Sequence, residues 1–455
     1  MLTNYSTKTL RYGMTTLAAL MLLFPVSSSI AANDEGGRGT VKEQWGDLLH
    51  YINIARPKLA KSYAEALRDN EKVSPKQIYL LSVERPDSLK TLQKGANLEG
   101  LKDTVEKLRA KIEEGYKSWR SDPKQIEESI QMMSRSLRGY VIGKRRLKES
   151  GQYAIPLLIQ ALMDDKTPKL LKERIITMLH ELGRNAVRAY SVGLQSRDLQ
   201  LVGFLANALR QIEYPSALPR LREALKRPKL KNPDNPTRKI IVAAIIACAG
   251  GDRSALKKSP AELFYGLAEK YYDRADSLLP DNDVEGARAF VWFWKEGTGL
   301  IARPVPAPIL CDIYAMRMSR LALKHDPAFY PAVALWLSAC IRREIDLPKG
   351  TTDPLWSKDM PKADFYALAS SPRYLQMVLA RALENSNVDI ARRVIETMGV
   401  NTGAKALVKP ISGGAQPLVS AMGYPDRNVR FLAAQTLALA RPTKKFHGYQ
   451  VVMSL

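Results

Sequence analysis

Three cysteines in 455 residues are too few for a disulfide framework. Cys248 in "IIACAG" and Cys340 in "LWLSACIRR" lie in apolar helical settings, the usual place of an unpaired thiol. Histidine is nearly as scarce. His50, His180, His325 and His447 are all of it, and none lies within helix reach of another. His180-Glu181 opens no HExxH, because no second His follows. No cysteine pair has zinc-ligand spacing, so no metal site is expected. Neither GxGxxG nor GxxxxGK[ST] occurs. Carboxylate pairs such as Glu113-Glu114 and Glu127-Glu128 belong on polar helix faces and read as solvated, not as acid–base partners. No catalytic residue and no cofactor is expected.

Acidic residues are also in the minority. The chain carries 69 Lys and Arg against 46 Asp and Glu, a net charge of +23. Such an excess favours anionic partners or a solvated basic surface. Long apolar runs are missing except near the start. There Lys8 and Arg11 precede "MTTLAALMLLFPV", and small residues follow to "SSSIAAND". That order reads as a secretory signal peptide over residues 1–32, cut after Ala31 or Ala32. The run is short for a membrane span, and no cysteine ends it to carry a lipid. The expectation is an exported chain of the periplasm or cell envelope, with no transmembrane segment. For such a chain nucleic acid is a disfavoured partner.

What the sequence does contain is repetition. "AIPLLIQAL" starts at Ala154, "AVRAYSVGL" at Ala186 and "ALPRLREAL" at Ala217, spacings of 32 and 31 residues. The first is followed by Thr167-Pro168, read as N-cap and first helical residue, then Leu170, Leu171, Ile175, Met178 and Leu182. The second is followed by Asp198, with Leu201, Val202, Leu205, Ala206 and Leu209 at offsets 3, 4, 7, 8 and 11. Asn387 has Ile390, Ala391, Val394, Ile395 and Met398 at the same offsets. Asp426 has Val429, Arg430, Ala433, Ala434 and Leu437 there. Each is a capping residue followed by a helix with one apolar stripe. Such a helix must bury its stripe on neighbours, which is the logic of a helical solenoid.

The string Asp-x-x-Val-Arg-x-x-Ala-Ala-x-x-Leu, 426–437, resembles the second helix of a HEAT repeat. The helices carrying Pro156 and Pro219 are similar to its first helix. The resemblance covers roughly 151–258 and 364–455, and it implies a binding and assembly surface without an active site. Between these blocks, 259–345 is different. Phe264, Leu267, Ala268 and Tyr271, and "ALKHDP" at 322–327, resemble a tetratricopeptide repeat. "FVWFWKEGTGLIARPVP" interrupts it as a β-hairpin at about 289–306. Helices are expected at about 307–325 and 328–345, and a linker over 346–363. Residues 33–150 read as an N-terminal helical cap, with Leu98, Leu101, Val105, Leu108, Ile112 and Trp119 on one long helix. "HGYQVVMSL" stops where a further helix would begin. The expected class is therefore all-α: an α-solenoid of HEAT-like pairs with a TPR-like segment and one small hairpin.

Three features are candidate partner sites. Arg135, Arg138, Lys144, Arg145, Arg146 and Lys148 form one basic cluster. Arg220, Arg222, Lys226, Arg227, Lys229 and Lys231 form a second. Residues 151–260 hold 19 basic against 9 acidic residues, whereas 261–360 hold 12 against 14. These clusters either track a polyanion or are solvated helix faces and a Lys-rich loop; aromatic interleaving is absent. Trp292 and Trp294 share one face of the hairpin strand and either anchor a partner or pack down on the helices. "SGGAQ" at 412–416 either cradles an anion at a helix N-terminus or is a plain loop. The expected role is a non-enzymatic scaffold or adaptor binding an unidentified protein in the cell envelope. The alternative is an electrostatic binder of an anionic envelope polymer or membrane surface.

Overall fold

A computed structural model of the chain describes residues 39–85, 87–279, 288–411, 414–442 and 449–450. The expected signal peptide lies outside the described residues, as do Ser412 and Gly413 of the glycine turn and most of "HGYQVVMSL". The described residues are mostly helical and hold one two-stranded sheet, an all-α class. No helix among them is long and apolar enough to cross a membrane. The chain divides into two compact units, Met1–Ala154 and Ile155–Leu455.

The first unit contains α1 (Val41–Asn53), α2 (Pro57–Asp69), α3 (Pro75–Glu84), α4 (Ser88–Gly95), α5 (Lys102–Arg120), α6 (Pro123–Arg135) and α7 (Leu137–Ser150). Polar caps set several starts. Thr40 and Glu43 form a reciprocal capping box before α1, and Ser74, Asp122 and Ser136 cap α3, α6 and α7. Trp45, Leu48, Leu67, Ile78, Leu92 and Leu108 fill the core. The helix expected from Leu98 begins at Lys102 instead. Gly100 takes a positive φ of 75°, and Leu98 and Leu101 sit in turns closed on Gly95 and Leu98 carbonyls. Leu101, Val105, Leu108, Ile112 and Trp119 are nonetheless buried, as the spacing requires. Two close helix contacts depend on glycine. A Cβ on Gly115 of α5 would lie 2.0 Å from the Pro75 carbonyl oxygen. One on Gly143 of α7 would lie 2.4 Å from that of Ser129.

The second unit begins with helical pairs: α8 (Ile155–Met163) and α9 (Lys169–Met178), α10 (Val187–Gly193) and α11 (Leu199–Ile212), α12 (Leu218–Leu225) and α13 (Pro236–Cys248). Next come α14 (Pro260–Tyr272), β1 (Arg288–Lys295), β2 (Gly299–Pro306), α15 (Leu310–His325) and α16 (Tyr330–Ile345). The chain continues through α17 (Ala363–Ala369), α18 (Pro372–Glu384), α19 (Val388–Asn401), α20 (Ala404–Leu407), α21 (Pro417–Ala421) and α22 (Arg427–Ala440).

The three aligned caps are present in atomic detail. Asp198 Oδ1 accepts from Gln200 N at 2.8 Å, Asn387 Oδ1 from Ile390 N at 3.0 Å, and Asp426 Oδ1 from Val429 N at 2.9 Å. Each such cap contributes about 1 kcal/mol. The apolar residues at the shared offsets are buried. The exception is Arg430, which donates to the carbonyls of Tyr424 and Pro425. One expected start is corrected. Pro168, not Thr167, is the N-cap of α9, because its ψ of 140° keeps it extended, and no side chain caps that end. Leu170 accordingly turns outward, while Leu171, Ile175 and Met178 are buried.

The hairpin is antiparallel, with Trp292 opposite Ala302 and Trp294 opposite Leu300. It works as a wedge. Ala289, Val291 and Val305 join the core shared by α14 to α16 and the later helices. β2 lies along α8, where a Cβ on Gly299 would meet Met163 Sδ at 3.4 Å. Pro304 and Pro306 are tolerated because each strand of a two-stranded sheet has an unpaired edge.

Charged side chains fix the packing of α14, α15 and α16. The fully buried Asp312 accepts from Arg342 Nε at 2.7 Å and Arg274 Nη2 at 3.3 Å. Arg342 also donates to the Tyr272 carbonyl and stacks on that ring, 3.8 Å from its centroid. Burial nonetheless pushes the Asp312 carboxyl up from its ordinary value, against the pull of both arginines. The loop 346–362 is pinned to α16 where Arg343 donates to Asp353 at 2.6 Å and stacks on Trp356.

Candidate functional site

The first basic cluster lies on α6 and α7. Arg135, Arg138, Arg145 and Lys148 are exposed, and Lys144 and Arg146 are half-buried. Lys144 lies over the Tyr140 ring, and Arg146 points toward Met132 Sδ. Leu137 and Val141 are exposed on the same helix, so this surface mixes cations with apolar groups. Beneath it, burial raises the Glu149 carboxyl above its ordinary value, opposed by Arg145 and Arg146.

The second cluster is largely committed to holding the fold. Arg220 is only 7% exposed and gives Nη1 to Glu223 at 2.6 Å. Arg222 donates to the Lys258 carbonyl at 3.0 Å. Arg227 donates to the carbonyls of Ser196 and Leu194, and Arg238 to that of Leu230. Arg222, Arg227 and Arg238 satisfy backbone oxygens at helix ends and turns, where an orphan carbonyl is costly. Lys226, Lys229 and Lys231 remain exposed. The structure therefore does not bring this cluster together as one continuous cationic stripe.

The two hairpin tryptophans also differ from an exposed pair. Trp292 is 1% exposed and offers no free face. Trp294 is half-buried, and its Nε1 donates to Glu296 Oε2 at 2.7 Å. For Trp292 packing wins over display.

A site not singled out by the sequence lies between α17 and α19. A groove of about 530 Å³ is lined by Asp364, Leu368, Asp389, Arg392, Arg393, Glu396, Thr397 and Val400. Its geometry is fixed from behind. Arg393 bonds Asp364 and gives Nη2 to Glu344 at 2.7 Å, while Glu344 also accepts from Ala363 N at 2.7 Å. The hydrogen bond from Arg393 holds the Asp364 carboxyl below the usual range, and the same bond raises the guanidinium. At one end Asn401 Nδ2 donates to the Leu368 carbonyl at 2.9 Å. Leu368 is 47% exposed and Val400 80% exposed. The groove thus presents two apolar side chains inside a frame of mixed charge. One sequence signal could have found it: Val400 is apolar but falls off the buried stripe of Ile390, Ala391, Val394, Ile395 and Met398.

Among the described residues, no group of three His, Cys, Asp or Glu is placed to hold a metal ion. His325 stacks on Phe264, with Nε2 3.2 Å from Glu223 Oε1. His180 is half-buried, His50 is exposed, and His447 lies outside the described residues. All three cysteines are free and buried. No protein-family model, curated protein or solved structure matches this chain.

Proposed function

We propose that this chain is a non-enzymatic helical-repeat scaffold, its helical pairs stacked as an α-solenoid of HEAT-like and TPR-like units, acting in the cell envelope. Its partner is a protein segment that inserts apolar side chains into the α17–α19 groove. The observation that carries this reading is the pair Leu368 and Val400. They are exposed apolar groups at one concave site whose walls are fixed by the Asp364–Arg393–Glu344 bridge. Exposed apolar side chains at an open groove are a contact surface that a partner's apolar groups can cover. Asp389, Arg392 and Glu396 at the rim would set orientation more than affinity.

The test is crosslinked affinity capture from the chain's own cell envelope, with washes at low and high salt. The scaffold reading expects a stoichiometric protein that survives high salt and is lost with Leu368→Asp or Val400→Asp. A second reading is favoured by one observation, the exposed Leu137, Val141, Arg135 and Arg145 on α6 and α7. There the chain would bind an anionic polymer or membrane surface. That reading expects recovery only at low salt, lost on charge reversal at Arg135 and Arg145 and indifferent to Val400.

A further inference from the structure

A partly buried cation that meets no counter-charge among the described residues lies near α10, α12, β1 and α15. Arg317 of α15 is largely enclosed. Its guanidinium carbon is 4.5 Å from the Phe293 ring centroid and 5.6 Å from that of Tyr314. Its Nη1 is buried with no hydrogen-bond partner. Among the described residues no carboxylate or carbonyl pairs with any of its nitrogens. Burial holds this guanidinium below its ordinary value, and the charges of Arg220 and Arg320 add to the effect.

Two more arginines share the location. Arg188 of α10 places its guanidinium carbon 5.5 Å from the same Tyr314 ring and 6.0 Å from that of Tyr271, and donates to backbone carbonyls at Leu278 and Leu279. Arg220 of α12 lies 5.4 Å from the Phe264 ring and takes Glu223, which His325 and Lys324 already share. Three guanidinium groups are thus matched, among the described residues, by one carboxylate. Stacked rings lie beneath them. Tyr314 stacks on Tyr271 at 4.9 Å, and its hydroxyl accepts from Trp292 N at 3.3 Å. An enclosed guanidinium costs far more than an unmade neutral hydrogen bond unless an anion meets it. Its planar fork is suited to a carboxylate or phosphate oxygen pair.

We propose that Arg317, flanked by Arg188 and Arg220, forms a site for a single oxyanion group, carboxylate or phosphate, held against the Tyr314 and Phe293 rings. The site is separate from the α17–α19 groove and stands whether or not that groove binds a protein.

The experiment is thermal unfolding and titration calorimetry of the full chain with inorganic phosphate and with succinate, each against sodium chloride of equal ionic strength. At about 10 mM ligand the expected rise in Tm is about 2 °C or more over chloride. A response to phosphate alone assigns a phosphoryl group, and a response to succinate alone assigns a carboxylate. Arg317→Met should lose the response. In chloride it should be at least as stable as the unsubstituted chain, because an unpaired buried charge has been removed. If Arg317→Met does not fold, Arg317→Lys decides, with an expected loss in affinity of about tenfold. No ligand-specific heat or Tm shift in the unsubstituted chain overturns the proposal, as does an undiminished response in Arg317→Met or Arg317→Lys.

Discussion

Arg381 and Glu269, 112 residues apart in sequence, meet in a two-point ion pair, with Nη1 at 2.5 Å and Nη2 at 2.7 Å from the two carboxylate oxygens. The pair joins α18 to α14, and the guanidinium also lies 5.3 Å from the Tyr272 ring. It therefore fastens the C-terminal helices to the middle of the second unit. Glu269→Gln should lower the stability of that unit by about 1–2 kcal/mol, since a charge-assisted bidentate contact is replaced by a neutral one. A double-mutant cycle with Arg381→Met, read by denaturant midpoint, checks it. Additive effects would show that the two residues act independently.

In the first unit the α6–α7 contact should tolerate no side chain at Gly143. Gly143→Leu would drive a branched chain into the Ser129 carbonyl and the Met133 side chain. A loss of about 1–3 kcal/mol is expected for such overpacking. Arg145→Ala, on the exposed face of the same helix, should stay within about 0.5 kcal/mol of the unsubstituted chain. Urea melts of both variants give the comparison.

The cysteines should be silent in the native state. Burial pushes the Cys248 and Cys340 thiols up to about 12, and raises Cys311 as well. At pH 8 an alkylating reagent should modify none of the three until the chain unfolds, when all three react. Fast labelling of Cys311 under native conditions would mean that α15 opens locally.

Stability should depend on acid with one sign at Asp122 and Asp364 and the opposite sign at Glu149. The Lys76 and Arg393 hydrogen bonds hold the Asp122 and Asp364 carboxyls below the usual range. The unfolded chain then binds more protons than the folded one as the pH falls below about 4. Their stabilisation is present above that pH and is lost as the pH drops through the folded values. Glu149 is raised by burial, so its contribution runs the other way and is lost as the pH rises from about 4.5 through its folded value. Asp364→Asn should cost stability at pH 7, with the difference closing toward pH 3. Glu149→Gln should gain on the unsubstituted chain between pH 4 and pH 7. Denaturant midpoints across that range test both.

The helical class was legible because it rests on local rules. Asp198, Asn387 and Asp426 cap in fact as their spacing requires, and the hairpin spans Arg288–Lys295 and Gly299–Pro306 around its glycine turn. The α17–α19 groove was not legible. It depends on Glu344, Asp364 and Arg393 meeting from three separate helices, and no local pattern encodes that. The second basic cluster shows the converse. Arg220, Arg222 and Arg227 look like a charged strip in sequence, yet each finds an acceptor on a neighbouring turn or helix. Charge counted along a chain does not reveal which cations backbone carbonyls will consume.

The most direct measurement places a photoreactive benzoyl-phenylalanine at position 400 of the full chain in its native host cells, with position 145 as the comparison. The account predicts a crosslink to one protein from position 400, retained at high salt and absent when Leu368→Asp is also present. No protein adduct from position 400, together with salt-sensitive labelling of lipid or polymer from position 145, would contradict it.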